Sequence, residues 1–114
     1  MHVVVNFSGL LGTTTASHIH AATVIPGTGT APVATTVPNF PGFPLGVMSG
    51  SYDQTFDMTL VASYNPSYVT ANKGTTASAE AALFSAIGAG RSYLLNGEVC
   101  SMRETFDILS RISL

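Results

Sequence analysis

The most regular hydropathy pattern in the chain lies in "SYDQTFDMTLVAS". There Tyr52, Gln54, Phe56, Met58 and Leu60 share one face, while Asp53, Thr55, Asp57 and Thr59 share the other. Alternation with a period of two predicts a strand with one wet face. The opening His2-Val3-Val4-Val5-Asn6-Phe7 predicts another strand from its β-branched run. Ser8 to Gly12 then turns the chain into a second short strand, Ala16 to Ala22. A hairpin of these two would leave His2 at its open end, facing the neighbourhood of His20. Arg91 to Leu95 is a further strand candidate, followed by the hairpin dipeptide Asn96-Gly97.

The period changes in two places. "TASAEAALFSAI", Thr76 to Ile87, is rich in Ala and sets Leu83, Phe84 and Ile87 on one face, with Gly88 as a stop. It predicts a short helix near 76–88. Near the end, Ser101 and Glu104 fit a capping box, and Met102, Phe106, Leu109 and Ile112 follow at helical spacing. These predict a C-terminal helix over 102–113. Between the strands, Ile25 to Gly50 is punctuated by Pro26, Pro32, Pro38, Pro41 and Pro44. So much proline argues against central strands. It predicts a long ordered connection, anchored over a sheet end by Phe40, Phe43 and Leu45. "SYNPSYVTANKG" reads as a loop in which Asn65-Pro66 opens a turn.

Composition narrows the class. The chain has 114 residues, 46% of them hydrophobic and only 9% charged. That length suits one domain with its own core, and the apolar content excludes disorder. Lys73, Arg91, Arg103 and Arg111 are scattered and the net charge is -2, so no phosphate-binding patch forms and nucleic acid is not an expected partner. No apolar run approaches the ~20 residues of a membrane helix. The N-terminus lacks Lys and Arg and is interrupted by Asn6, Ser8 and Gly9, which predicts no signal peptide in this chain. Cys100 is the sole cysteine, so an internal disulfide is impossible, and as a side chain it reads as a small hydrophobe.

The candidate chemistry is concentrated in "TTTASHIHAA", where His18 and His20 alternate on one strand face. A catalytic metal centre needs about three protein ligands and an open position. The pair supplies two; a third would come from His2, Cys100 or a carboxylate. Alternatively each imidazole satisfies a buried polar group, one bonding a carbonyl of the long loop. Asp53 and Asp57 stand four residues apart on a strand, ~13 Å, too far for a carboxylate dyad. Gly27-Thr28-Gly29 lacks the strand-to-helix context of a phosphate loop. No nucleophile motif such as G-x-S-x-G occurs. Asn6-Phe7-Ser8 meets the glycosylation pattern, which matters only on a eukaryotic secretory route.

"VNFSGLLGTTTASHIHAA", "FPGFPLGVMSGSYDQTFDMTL", "SYNPSYVTANKGT" and "AEAALFSAIGAGRSYL" resemble the CHRD domain, found in chordin and in many bacterial exported proteins. Together they cover most of Val3 to Leu94. The resemblance implies an all-β, immunoglobulin-like or dismutase-like Greek-key sandwich or barrel, because CHRD domains bear a limited similarity to Cu/Zn superoxide dismutases. In the dismutase pattern a histidine-x-histidine strand supplies copper ligands, and a later "GR" strand ends in another. His18 and His20 match the first element, and Gly90 to Leu94 the start of the second.

The departures are at both ends. The family's opening "GAQEVPP"-like strand pair is absent, and the histidine of its closing "YLNIHT" has no counterpart in Tyr93-Leu94-Leu95-Asn96-Gly97. The long loop holds no His or Asp, so the dismutase zinc site is missing. Residues 1–99 thus read as a truncated CHRD-like β domain and 100–114 as a divergent tail. Missing outer strands predict open sheet edges and self-association. The function expected is a non-enzymatic extracellular or periplasmic module that contacts a protein or matrix partner. The alternative is a copper- or zinc-binding protein using His18 and His20, with His2 as third ligand and without dismutase activity.

Overall fold

The computed structural model describes residues 1–95. Its strands are β1 (His2–Phe7), β2 (His18–Ala21), β3 (Gly50–Thr55) and β4 (Ser92–Leu95); its helices are α1 (Pro66–Ala71) and α2 (Thr76–Gly88). The strands form two antiparallel pairs, β1 with β3 and β2 with β4. The described residues therefore form a small globule of sheets and two helices, and the all-β expectation holds only in its coarser, β-rich sense.

The first correction concerns pairing. β1 does not form a hairpin with β2; it runs antiparallel to β3, with Val3 opposite Gln54 and Val5 opposite Tyr52. Met1 extends the ladder through reciprocal bonds with Phe56, 2.7 Å each way. Val3 and Val5 point into the core and are fully buried. On the same core, Phe40 packs against Tyr52 and Phe56, and Phe43 against Phe7 and Tyr52. The long loop is thus anchored by Phe40 and Phe43, as their spacing predicts. Leu45 is not an anchor; it lies exposed.

β3 also stops earlier than its alternation predicts. The Asp57 carboxylate accepts from the Thr59 amide at 2.9 Å and the Thr59 hydroxyl at 2.7 Å. This side-chain turn offers the backbone an alternative to the ladder. A 3-10 turn at Val61–Ser63 follows. Asn65-Pro66, read above as a turn, instead starts α1: Asn65 caps it by accepting from the Ser67 amide, and Pro66 occupies the first turn. Cap followed by proline is a helix-start signal.

α2 matches its expected span and is capped by Thr75, which accepts from the Ser78 amide. Ala79, Leu83 and Ala86 are buried against the core, with Phe84 and Ile87 packed partly on it. The reversal falls at Gly90 rather than Gly88. Gly90 has φ +67°, and the following Arg91 amide donates back to Ala86 O at 2.7 Å. That left-handed glycine releases the chain directly into β4.

β2 has a partner on each edge. β4 lies on one, with His18 opposite Leu95 and His20 opposite Tyr93. On the other lies the loop segment 31–35. Ala21 N donates to Pro32 O (3.1 Å), Ala34 N to Ile19 O (2.8 Å), and Ile19 N to the Thr35 hydroxyl (2.8 Å). The segment is joined onward to Tyr64 and Asn65, whose amide reaches Ala34 O at 3.0 Å. The predicted C-terminal helix over 102–113, the Asn96-Gly97 turn and the boundary at residue 100 lie outside the described residues.

Thr35 is fully buried and completes the Ile19 amide. Thr35→Val should therefore cost about 1–3 kcal/mol, the penalty of a buried donor left unpaired. Thr28→Val, at an exposed turn, should stay within about 0.5 kcal/mol. Urea denaturation of both variants measures the difference.

Candidate functional site

The site is built on the outer face of β2. Strand alternation sends Ile19 and Ala21 into the core, 1% and 0% exposed, and turns His18 and His20 to the opposite face. Their ring centroids lie 4.8 Å apart, tilted by 41°. His18 is 9% exposed.

Each ring is held by a loop carbonyl. His20 Nδ1 lies 2.6 Å from Ala31 O; since a carbonyl only accepts, Nδ1 carries the proton. His20 also stacks on Tyr93, with centroids 4.8 Å apart and planes within 4°. The Tyr93 hydroxyl accepts from the Ala31 amide at 3.4 Å. His20 and Tyr93 thus grip the same residue through its two backbone groups. On the other ring, the Pro38 backbone bonds His18, and proline can offer only its carbonyl.

What remains is one unpartnered nitrogen per ring. His18 Nδ1 and His20 Nε2 are both buried without a hydrogen-bond partner. Burial holds His18 below the usual histidine pKa, the neighbouring His20 lowers it further, and the Pro38 carbonyl opposes both. Two buried, unpartnered ring nitrogens form a site that can exchange a hydrogen bond with a polar group or, where the lone pair is free, bind a Lewis acid.

His2 does not join them. Because β1 pairs with β3, it sits in the other sheet, with Nε2 2.7 Å from Asp53 Oδ1. Both partners are well exposed, so the pair contributes little to stability. This corrects the expectation of His2 as third ligand. Among the described residues, no group of three or more His, Cys, Asp and Glu side chains is placed to hold a metal. Asp57 is occupied in its turn with Thr59, and Cys100 lies outside the described residues. Arg91, the arginine of the "GR" element, ties the end of the β2–β4 pair: its Nε donates to Thr23 O at 2.6 Å, and its carbonyl accepts from Thr23 N at 2.8 Å.

One imidazole bonds a carbonyl of the long loop as expected, through Ala31 O; the sequence reading missed Tyr93 and which carbonyls the rings meet. The signal for Tyr93 was the pairing of the histidine strand with the "GRSYL" strand, which sets Tyr93 opposite His20. The carbonyls have no side-chain signature. No family model matches the chain, and no curated protein or solved structure is significantly similar to it.

The depressed His18 pKa has a definite consequence. The unfolded chain takes up the proton near 6.5, before the folded one does, so acid favours unfolding. Stability should be full above that value and decline as pH falls toward the lower folded-state pKa. Denaturation midpoints across this range should show the slope for the natural chain and a flatter one for His18→Asn.

Proposed function

We propose that this chain is a non-enzymatic structural or binding module of the CHRD type, working outside the cytoplasm and contacting its partner through apolar loops. The observation that carries this reading is an uncharged pair of loops, tied to each other by backbone bonds, that exposes apolar side chains. Leu11 is 97% exposed and Met48 53%, and Leu45, three residues before Met48, is 43% exposed. These are not frayed tips. Leu10 N donates to Met48 O (3.2 Å), Thr14 N to Val47 O (2.9 Å), and Gly46 N to Thr14 O (2.7 Å). The buried Thr14 hydroxyl adds a bond to Pro44 O at 2.8 Å. No Asp, Glu, Lys or Arg occurs in the sequence before Asp53, so both loops are free of formal charge. Exposed apolar side chains held on a fixed backbone support contact with a protein or matrix surface. The resemblance of Val3 to Leu94 to CHRD domains supports the same class and the extracytoplasmic setting.

A second reading has its own observation. The two unpartnered nitrogens, His18 Nδ1 and His20 Nε2, support binding of a copper or zinc ion at the pair, without dismutase chemistry.

Static light scattering tests the first reading through the apolar loops. The natural chain should gain mass with concentration or bind an apolar probe dye. Leu11→Ser/Met48→Ser should weaken either response several-fold with an unchanged melting temperature. A chain that stays monomeric and ignores the dye, or a double variant that behaves like the natural chain, would contradict it.

A further inference from the structure

The backbone of the β1–β3 sheet points to an interaction that uses neither the apolar loops nor the histidine pair. We infer that the outer edge of β1 pairs antiparallel with the same edge of a second copy of this chain, joining the two β1–β3 sheets into one.

The phase of the ladder shows which backbone groups are free. Met1 and Phe56 exchange both of their bonds, at 2.7 Å each. In an antiparallel ladder such pairs alternate with pairs that exchange none. The register then makes Val3 with Gln54, Val5 with Tyr52 and Phe7 with Gly50 the bonded pairs. The amides and carbonyls of His2, Val4 and Asn6 point away from β3, and nothing else among the described residues bonds them. Buried backbone groups are nearly always paired, so this row of free groups marks an edge open to solvent. Exposure agrees. Asn6 is exposed and Val4 half-buried, while Val3 and Val5 on either side of Val4 are fully buried.

The two edges of the sheet differ. On β3 the outward groups belong to Ser51, Asp53 and Thr55, and a charged residue in the middle of an edge guards it against pairing. β1 has no such guard. "HVVVNF" holds β-branched residues at its centre and contains no Pro, Gly, Asp, Glu, Lys or Arg. Short uncharged segments of high β-propensity are the ones that add to a sheet.

The occupant is a second copy because this edge is complementary to itself. With a two-fold axis at Val4, Val4 faces Val4 of the second copy and His2 faces its Asn6. Every outward amide and carbonyl of both strands then finds a partner. A slip by two residues leaves groups unpaired at the ends. A slip by one sets outward groups against groups already bonded to β3. No like charges oppose each other in the matched register, because both β1 strands lie between Asp53 and Asp53 of the second copy. The facing Val4 side chains form a β-branched cross-strand pair. Such a contact is isologous and closes at two copies.

Sedimentation equilibrium of the full chain over a concentration series tests this, together with hydrogen exchange of the β1 amides. The expected result is a monomer–dimer equilibrium in which the Val4 and Asn6 amides exchange more slowly as the dimer fraction rises. Val4→Pro deletes the central outward donor, and proline is tolerated on an edge strand whose amide faces away. By symmetry it removes a bond from each copy and should weaken dimerisation about tenfold or more. Val4→Thr keeps the amide and the β-branch and should dimerise like the natural chain. Mass gained through the apolar loops lies beyond the dimer, so Leu11→Ser/Met48→Ser should leave the dimer itself intact, and the two surfaces fail independently. Should Val4→Pro fail to fold, the concentration dependence of exchange at Val4 and Asn6 in the natural chain decides the matter. A chain monomeric up to about 1 mM, a dimer indifferent to Val4→Pro, or a dimer lost with Leu11 and Met48 would overturn the inference. So would protection that appears instead at Ser51, Asp53 and Thr55. Protection of Val4 and Asn6 at every dilution would overturn it as well, since the chain's own residues would then cover the edge.

Discussion

The structure depends on how four residues, His18 to Ala21, are satisfied on both edges. A buried strand must place every amide and carbonyl with a partner. β2 does so by pairing β4 on one side and the loop segment 31–35 on the other. That second edge has few backbone donors of its own, since Pro32 has none. Thr35 supplies a hydroxyl in place of a carbonyl, and His20 supplies a ring nitrogen to Ala31 O. The proline-rich connection is therefore held in place by side chains as much as by a ladder. Its order follows from those bonds and from Phe40 and Phe43 packed into the core.

Much of this was legible in the sequence where the cause is local. α2 follows from an alanine-rich run, a threonine cap and a glycine nearby. β1 follows from consecutive valines, and the burial of Phe40 and Phe43 follows from aromatics spaced through prolines. The failures have particular causes. Which strand β1 joins is settled by packing of residues remote in sequence, so the hairpin with β2 that proximity allowed does not form. The alternation from Tyr52 to Leu60 is real as a pattern, yet Asp57 turns the backbone halfway along it. Asn65-Pro66 carries the same signal for a turn as for a helix start, and only the buried Tyr68 and Val69 show which.

The site divides in the same way. The common face of His18 and His20 was visible from their spacing, because strand alternation guarantees it. The loss of His2 from that neighbourhood came from the unexpected pairing of β1. Which carbonyls the rings meet was hidden for another reason: Ala31 O and the Pro38 backbone have no side-chain signature. The apolar surface around Leu11 and Met48 was equally hidden, since a lone leucine in a glycine-rich loop looks the same whether it is packed or exposed.

A single bond joins these parts: the long loop lies against β2 with the His20 Nδ1 proton turned toward Ala31 O. Nitrogen-15 NMR of the histidine rings in the metal-free chain, in mildly alkaline solution, tests this directly. The expected result is a His20 ring that carries its proton on Nδ1. A His20 ring in the Nε2-protonated form of free imidazole, or exchanging rapidly between forms, would contradict it.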